Sequence, residues 1–188
     1  KFFISHSSKD KFYGQKLVEL LINVGVKKDE IIFTSNRVYG IPVGQNIFDW
    51  LKSQITSKPY VIFLLSPDYY KSIACLNEMG AAWIIENKQV SLFTPNFDLT
   101  SEAFYSGVID PRKVGFYIND EDGIFSFIQS LTVDFEITTD DIAYVNQQVK
   151  KFLKKYAGTD NFLGALIVYL SDHEKLYSIL GNSMENPQ

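Results

Sequence analysis

A doubly wound α/β fold is what this sequence predicts, on three observations. Strand patterns and helix patterns alternate through residue 130, as βα units around a mostly parallel sheet require. One strand, YVIFLLS at 60–66, is apolar for six residues after Tyr60, as a strand buried on both faces should be. The intervening helices carry apolar residues at three- and four-residue spacing, so each has one face to lay on a sheet.

The strands are read at FFIS (2–5), IIFT (31–34), YVIFLLS (60–66), VSLFT (90–94) and VGFYI (114–118), with the third as the central one. The first helix follows Ser7, where Ser7 and Asp10 resemble a capping box, and Leu17, Leu20, Leu21 and Val24 then form its apolar stripe before Gly25 ends it. A second helix follows Asn46, with Phe48, Leu51 and Ile55 on one face, and stops before Pro59. A third spans about Ser72 to Ile85. Residues 95–113 read as loop with one irregular helix, and Ile124–Leu131 as a closing helix. Beyond residue 135 the pattern changes to a helical extension, 136–188. Thr139 caps a helix striped by Ile142, Val145, Val149, Phe152 and Tyr156, and a second helix covers about Asn161 to Leu180. This hairpin either covers a sheet edge or serves self-assembly.

Composition narrows the function. The chain has 188 residues, 46% hydrophobic and 21% charged, a balance ordinary for a packed soluble globule. Its 15% aromatic content is spread among aliphatics, as core packing would have it. A net charge of −4 argues against nucleic acid or an anionic membrane as partner. One cysteine excludes an internal disulfide, and with only His6 and His173 besides, no metal site is expected. A reducing, cytoplasmic setting fits. No apolar run approaches the roughly 20 residues that span a bilayer. Lys1 is not an initiator methionine, so the sequence is read as starting inside a longer chain.

Open parallel sheets bind ligands beyond the carboxyl ends of their strands, where strand order reverses. For a five-stranded sheet of order 2-1-3-4-5 that point lies between strands one and three, which brings Ser5-His6-Ser7-Ser8, the loop after strand two and Ser66-Pro67-Asp68 to the site. The third helix holds an anomaly there. IACLNEMGAAWII (73–85) has two strongly polar side chains, Asn77 and Glu78, and a helix apolar nearly all round is expected to be buried. A carboxylate in that setting is either a paired structural acid or a site residue. The loop NRVYGIPVGQN (36–46), with Gly40 and Gly44 around a proline, forms a shaped rim that lacks any phosphate-binding fingerprint. Its Arg37 is either solvated or turned to a pyrophosphate.

These residues resemble a bacterial Toll/interleukin-1 receptor (TIR) domain. FFISHSSKD (2–10) resembles the family's first motif, IIFTSNRVYGIPVGQNIFDWL (31–51) its second strand and variable loop, and VIFLLSPDYYKSIACLNEMGAAW (61–83) the third strand and helix of the enzymatic members. Their Ser-x-x-Cys-x-x-Glu pattern is Ser72, Cys75 and Glu78 here. The resemblance implies a flavodoxin-like fold and an NAD glycohydrolase or ADP-ribosyl cyclase activity, with NAD as substrate and no cofactor. It makes Glu78 the catalytic carboxylate and places Gln45, Asn46 and Phe48 at the pocket rim with Gly44. Ser5 and His6 would contact nicotinamide or ribose, and His6 is a general base or a simple loop polar residue. Cys75 is counted among the substrate-binding residues, and is expected as helix packing rather than nucleophile, since only a helix N-terminus could lower its pKa. Trp50 is either core or stacking platform. Relatives often carry an aromatic four residues before the glutamate, where this chain has Ala74. Other TIR domains are the implied partners and antiphage defence signalling the implied setting. A non-enzymatic adaptor acting by homotypic docking is the alternative, and a nucleoside deoxyribosyltransferase a third reading.

Overall fold

Five parallel strands form one sheet in the order 2-1-3-4-5. The structure is a computed structural model, which describes residues 1–35, 40, 44–109, 115–135 and 141–154, apart from the side chains of Ile47, Phe48 and Asp134. The strands are β1 (Phe2–His6), β2 (Ile31–Ile32), β3 (Tyr60–Leu65), β4 (Gln89–Phe93) and β5 (Phe116–Tyr117). β3 pairs along its length with β1 and β4, and Val61 through Leu65 are all sealed from solvent, which is why its sequence does not alternate. β2 and β5 are two residues each, shorter than their sequence patterns, and lie at the two edges.

Between the strands run α1 (Lys11–Asn23), α2 (Ile47–Thr56), α3 (Ile73–Ile84), the short α4 (Glu102–Tyr105) and α5 (Glu121–Asp134). A further helical stretch, α6, occupies 142–154. Ser7 does open the first helix, but by accepting from the Lys9 amide into a short 3-10 turn at Ser8–Asp10. Asp10 closes no capping box; its carboxylate accepts from Ser66 across the top of the sheet. Gly25, at φ 108°, ends α1 with a backbone that side chains rarely adopt. Asn46 caps α2 through the Asp49 amide, and Ser72 caps α3 through the Cys75 amide.

Side chains alternate across the sheet. Phe3, Val61, Phe63 and Leu65 point to one face, where they pack with Ile55 of α2 and with Cys75, Met79 and Ala82 of α3. On the other face Phe2 meets Phe135 beyond α5, and Tyr60 meets Phe127 of α5. Trp50 is partly buried against the first of these cores, so it packs rather than stands as a platform.

α3 departs from expectation. Cys75, Met79 and Ala82 make one buried stripe, while Ile73 (78% exposed), Leu76, Trp83 and Ile84 (72% exposed) stand in solvent. The helix is apolar all round yet covered on one side only, because a sheet can bury one face of each covering helix.

The chain divides into two compact units, Lys1–Lys150 and Lys151–Gln188. In the first, Val145 and Val149 of α6 are buried as their spacing predicted, and Ile142 is exposed. Tyr156 and the expected helix from Asn161 to Leu180 lie outside the described residues.

Candidate functional site

The site forms on the α3 face of the sheet at the carboxyl end of β1, beside the reversal of strand order. Ser5 converges there with Tyr69 and Glu78, 64 and 73 residues away in sequence. Ser5, near the end of β1, donates to Glu78 Oε2 at 2.7 Å, and its Oγ also stands 2.9 Å from the hydroxyl of Tyr69. Tyr69 follows β3 and is fully buried; its hydroxyl donates to the Cys75 carbonyl at 3.1 Å in the first turn of α3. Glu78 is half-buried, and burial pushes its carboxyl up to about 7 against the opposing hydrogen bond from Ser5.

From this anchor Glu78 reaches a groove of about 370 Å³ between α2 and α3. Its walls are mostly apolar, with Leu51 and Ile55 on the α2 side and Ala74 and Ala81 on the α3 side, and Lys52 supplies a cation from α2. That volume falls within the range of small-molecule sites, and an apolar groove with few polar groups is their usual composition. Ala74 lies on the wall one helical turn before Glu78, and its small side chain leaves that part of the groove open. Trp83 lines a different concavity, at the far end of α3 with Glu86, Asn87 and Gln89.

His6 is adjacent to Ser5 in sequence but not in the site, because successive strand residues point to opposite faces. Its ring stacks on Phe33 at 4.3 Å. Nδ1 donates to the Ile4 carbonyl, which can only accept, so Nε2 is the acceptor for the Ser35 hydroxyl at 2.7 Å. Burial lowers its pKa to about 4, leaving a neutral imidazole whose nitrogens are both engaged. Cys75 is buried, its thiol donating to the His6 carbonyl at 3.5 Å, and burial raises it to about 11. It is a protonated packing residue.

Of the expected rim, Gly44 (φ 89°), Gln45 and Asn46 are exposed where the loop enters α2, and Asn46 is occupied as its cap. Arg37 and the Phe48 side chain lie outside the described residues. Tyr69 and Lys52 were not singled out by sequence. The segment holding Tyr69 was, since Ser66-Pro67-Asp68 leads into it, but no local pattern says which side chain turns inward. Among the described residues no three His, Cys, Asp or Glu side chains could share a metal ion, and no helix is long and apolar enough to cross a membrane.

Comparison with known proteins covers the same region. The family model for the TIR domain matches residues 2–101, which hold Ser5, Tyr69 and Glu78. A curated relative, the uncharacterized protein YddK of Bacillus subtilis (strain 168), is 38% identical over 141 residues, or 75% of this chain and 52% of that protein. The chain thus spans about half the length of the relative it matches.

Proposed function

The chain belongs to the TIR-domain family, and from that premise we propose that it cleaves NAD at the nicotinamide–ribose bond with Glu78 as the catalytic carboxylate. The observation that carries this reading is a carboxylate anchored by a buried serine and opening into an apolar groove beside the sheet's switch point.

One carboxylate suffices for this bond. Ordinary glycosides need a second carboxyl to protonate the departing oxygen. Nicotinamide leaves a positively charged pyridinium, so the C–N electron pair departs with the ring nitrogen and no proton is required. Positive charge builds on the ribose as the bond breaks, and an ionised Glu78 facing it stabilises that charge in a site poor in competing dipoles. Water then adds with loss of a proton to give ADP-ribose, or a nucleophile of the substrate itself closes a cyclic isomer. Groove shape governs that choice, and Ala74 leaves room where relatives carry a ring.

Incubating the purified protein with NAD at high concentration, beside Glu78→Gln, tests the proposal. Nicotinamide release is expected from the first and should fall by about 100-fold or more in the variant. Its sustained absence under self-associating conditions sinks the reading. Chromatography of the second product separates a hydrolase from a cyclase. Resemblance to bacterial antiphage-defence TIR proteins supports a signalling or cell-suicide role in the cytoplasm.

The exposed apolar side chains of α3 favour a second reading, a non-enzymatic adaptor that docks with other TIR domains. Under that reading Glu78→Gln leaves cellular activity intact, while substitutions at Pro42 or Gly44 abolish it.

A further inference from the structure

Behind Glu78 stands a chain of hydroxyls that bond cleavage itself does not require. Ser5 Oγ lies between Glu78 Oε2 at 2.7 Å and Tyr69 Oη at 2.9 Å, and Tyr69 Oη lies 3.1 Å from the Cys75 carbonyl oxygen. Ser5 and Tyr69 are both sealed from solvent, so their hydrogen bonds are made to one another and to these two ends.

Each hydroxyl carries one proton, and the carbonyl at the far end can only accept. With Glu78 ionised, Ser5 donates to it, and Tyr69 has one proton for two acceptors, Ser5 Oγ and the Cys75 carbonyl. One of the three contacts then lacks a proton. With Glu78 protonated the direction reverses: Glu78 donates to Ser5, Ser5 to Tyr69, and Tyr69 to the carbonyl. All three contacts are then hydrogen bonds.

We propose that Tyr69 is a positioning residue which, through Ser5, holds the empty site with Glu78 protonated, so that the carboxylate forms when a cationic ligand enters the groove. This rests on Glu78 being the catalytic acid. A pyridinium in the groove favours the ionised form; Ser5 then turns its proton to Glu78 and fixes the oxygen that faces the sugar. Burial of Glu78 acts in the same direction as the relay, and the hydrogen bond that Ser5 gives the ionised form acts against it. Among the described residues, the titratable groups around it are the protonated Cys75 of α3 and Tyr69 after β3, with the exposed Lys52 of α2 on the groove wall. His6 of β1 is neutral and on the opposite face.

The test is a carbon-13 NMR titration of the Glu78 carboxyl in the full chain without ligand, for wild type and Tyr69→Phe. Phenylalanine leaves one Ser5–Glu78 hydrogen bond in either form of the carboxyl, so the extra contact that favours the protonated form is lost. The Glu78 midpoint should therefore fall by about 0.5 to 1 pH unit, and an unmoved or raised midpoint overturns the relay. A second measurement requires no variant to fold: in wild type the Tyr69 Cζ resonance should titrate with the Glu78 midpoint, and a Tyr69 signal flat through it overturns the proposal. Neither readout uses NAD. A relay that titrates as expected in a protein inert toward NAD would remove the proposed activity alone, and an active enzyme with a flat Tyr69 would remove the relay alone.

Discussion

Glu78 and His6 flank the same strand end, and burial drives them oppositely. The Glu78 carboxyl rises to about 7 from its ordinary 4.5, so the folded state holds this proton more tightly than the unfolded one. Its contribution to stability is full below pH 4.5 and is lost as pH rises through 7. His6, lowered to about 4 from 6.5, contributes stability that is full above pH 6.5 and is lost as pH falls through 4. Two predictions follow from these signs. Glu78→Gln should unfold at higher urea than wild type at pH 8, by about 1 to 3 kcal/mol, while losing any NAD cleavage. Between pH 6.5 and 4.5 these two contributions oppose one another in wild type, and His6→Gln, which removes only the falling one, should let stability rise as pH falls through that window. In wild type the rate of NAD cleavage by free enzyme should climb through pH 7 as Glu78 ionises, which a pH series of kcat/KM measures. Glu78 was legible as a lone acid in an apolar run. Tyr69 was not, because its partner Ser5 is 64 residues away and a tyrosine pair in a loop carries no local pattern.

Elements set how closely these residues meet. Gly14 on α1 lies against Phe33 just beyond β2: a Cβ there would stand 2.4 Å from the ring that stacks under His6. Gly14→Ala should destabilise the domain by about 1 to 3 kcal/mol, read as a lower denaturation midpoint, and should shift the His6 ring resonances. The helix periodicity located α1, α2 and α3 to within a few residues. It overstated the burial of α3, since hydrophobic composition reports what a helix tolerates and only packing reports which side is covered. Asp10 illustrates the same limit: spacing proposed a cap, and the top of the sheet offered Ser66 instead. Filling the groove wall with Ala74→Trp should alter the ratio of linear to cyclic product while nicotinamide release persists, by chromatography of the same reaction.

The whole molecule places an anchored acid, an apolar groove and an exposed apolar helix side together on one face of the sheet. If neighbouring copies cover α3, specific NAD-cleaving activity should rise with protein concentration, and Trp83→Glu should weaken that dependence without touching the groove, which Trp83 does not line. A specific activity constant across concentration would count against assembly through this face.

Read alone, the sequence determined the alternation of strands and helices, the central place of the third strand, and the lone acid in the apolar run of α3. These are local or periodic properties, set by side-chain spacing along a few turns or a few residues. Only the tertiary structure decided that Ser5 enters the site while its neighbour His6 turns away, that Tyr69 completes a hydroxyl chain, and that α3 is bare on one side. Each of these depends on which surfaces meet across the sheet, and residues brought together from opposite ends of a domain leave no trace in the spacing of either.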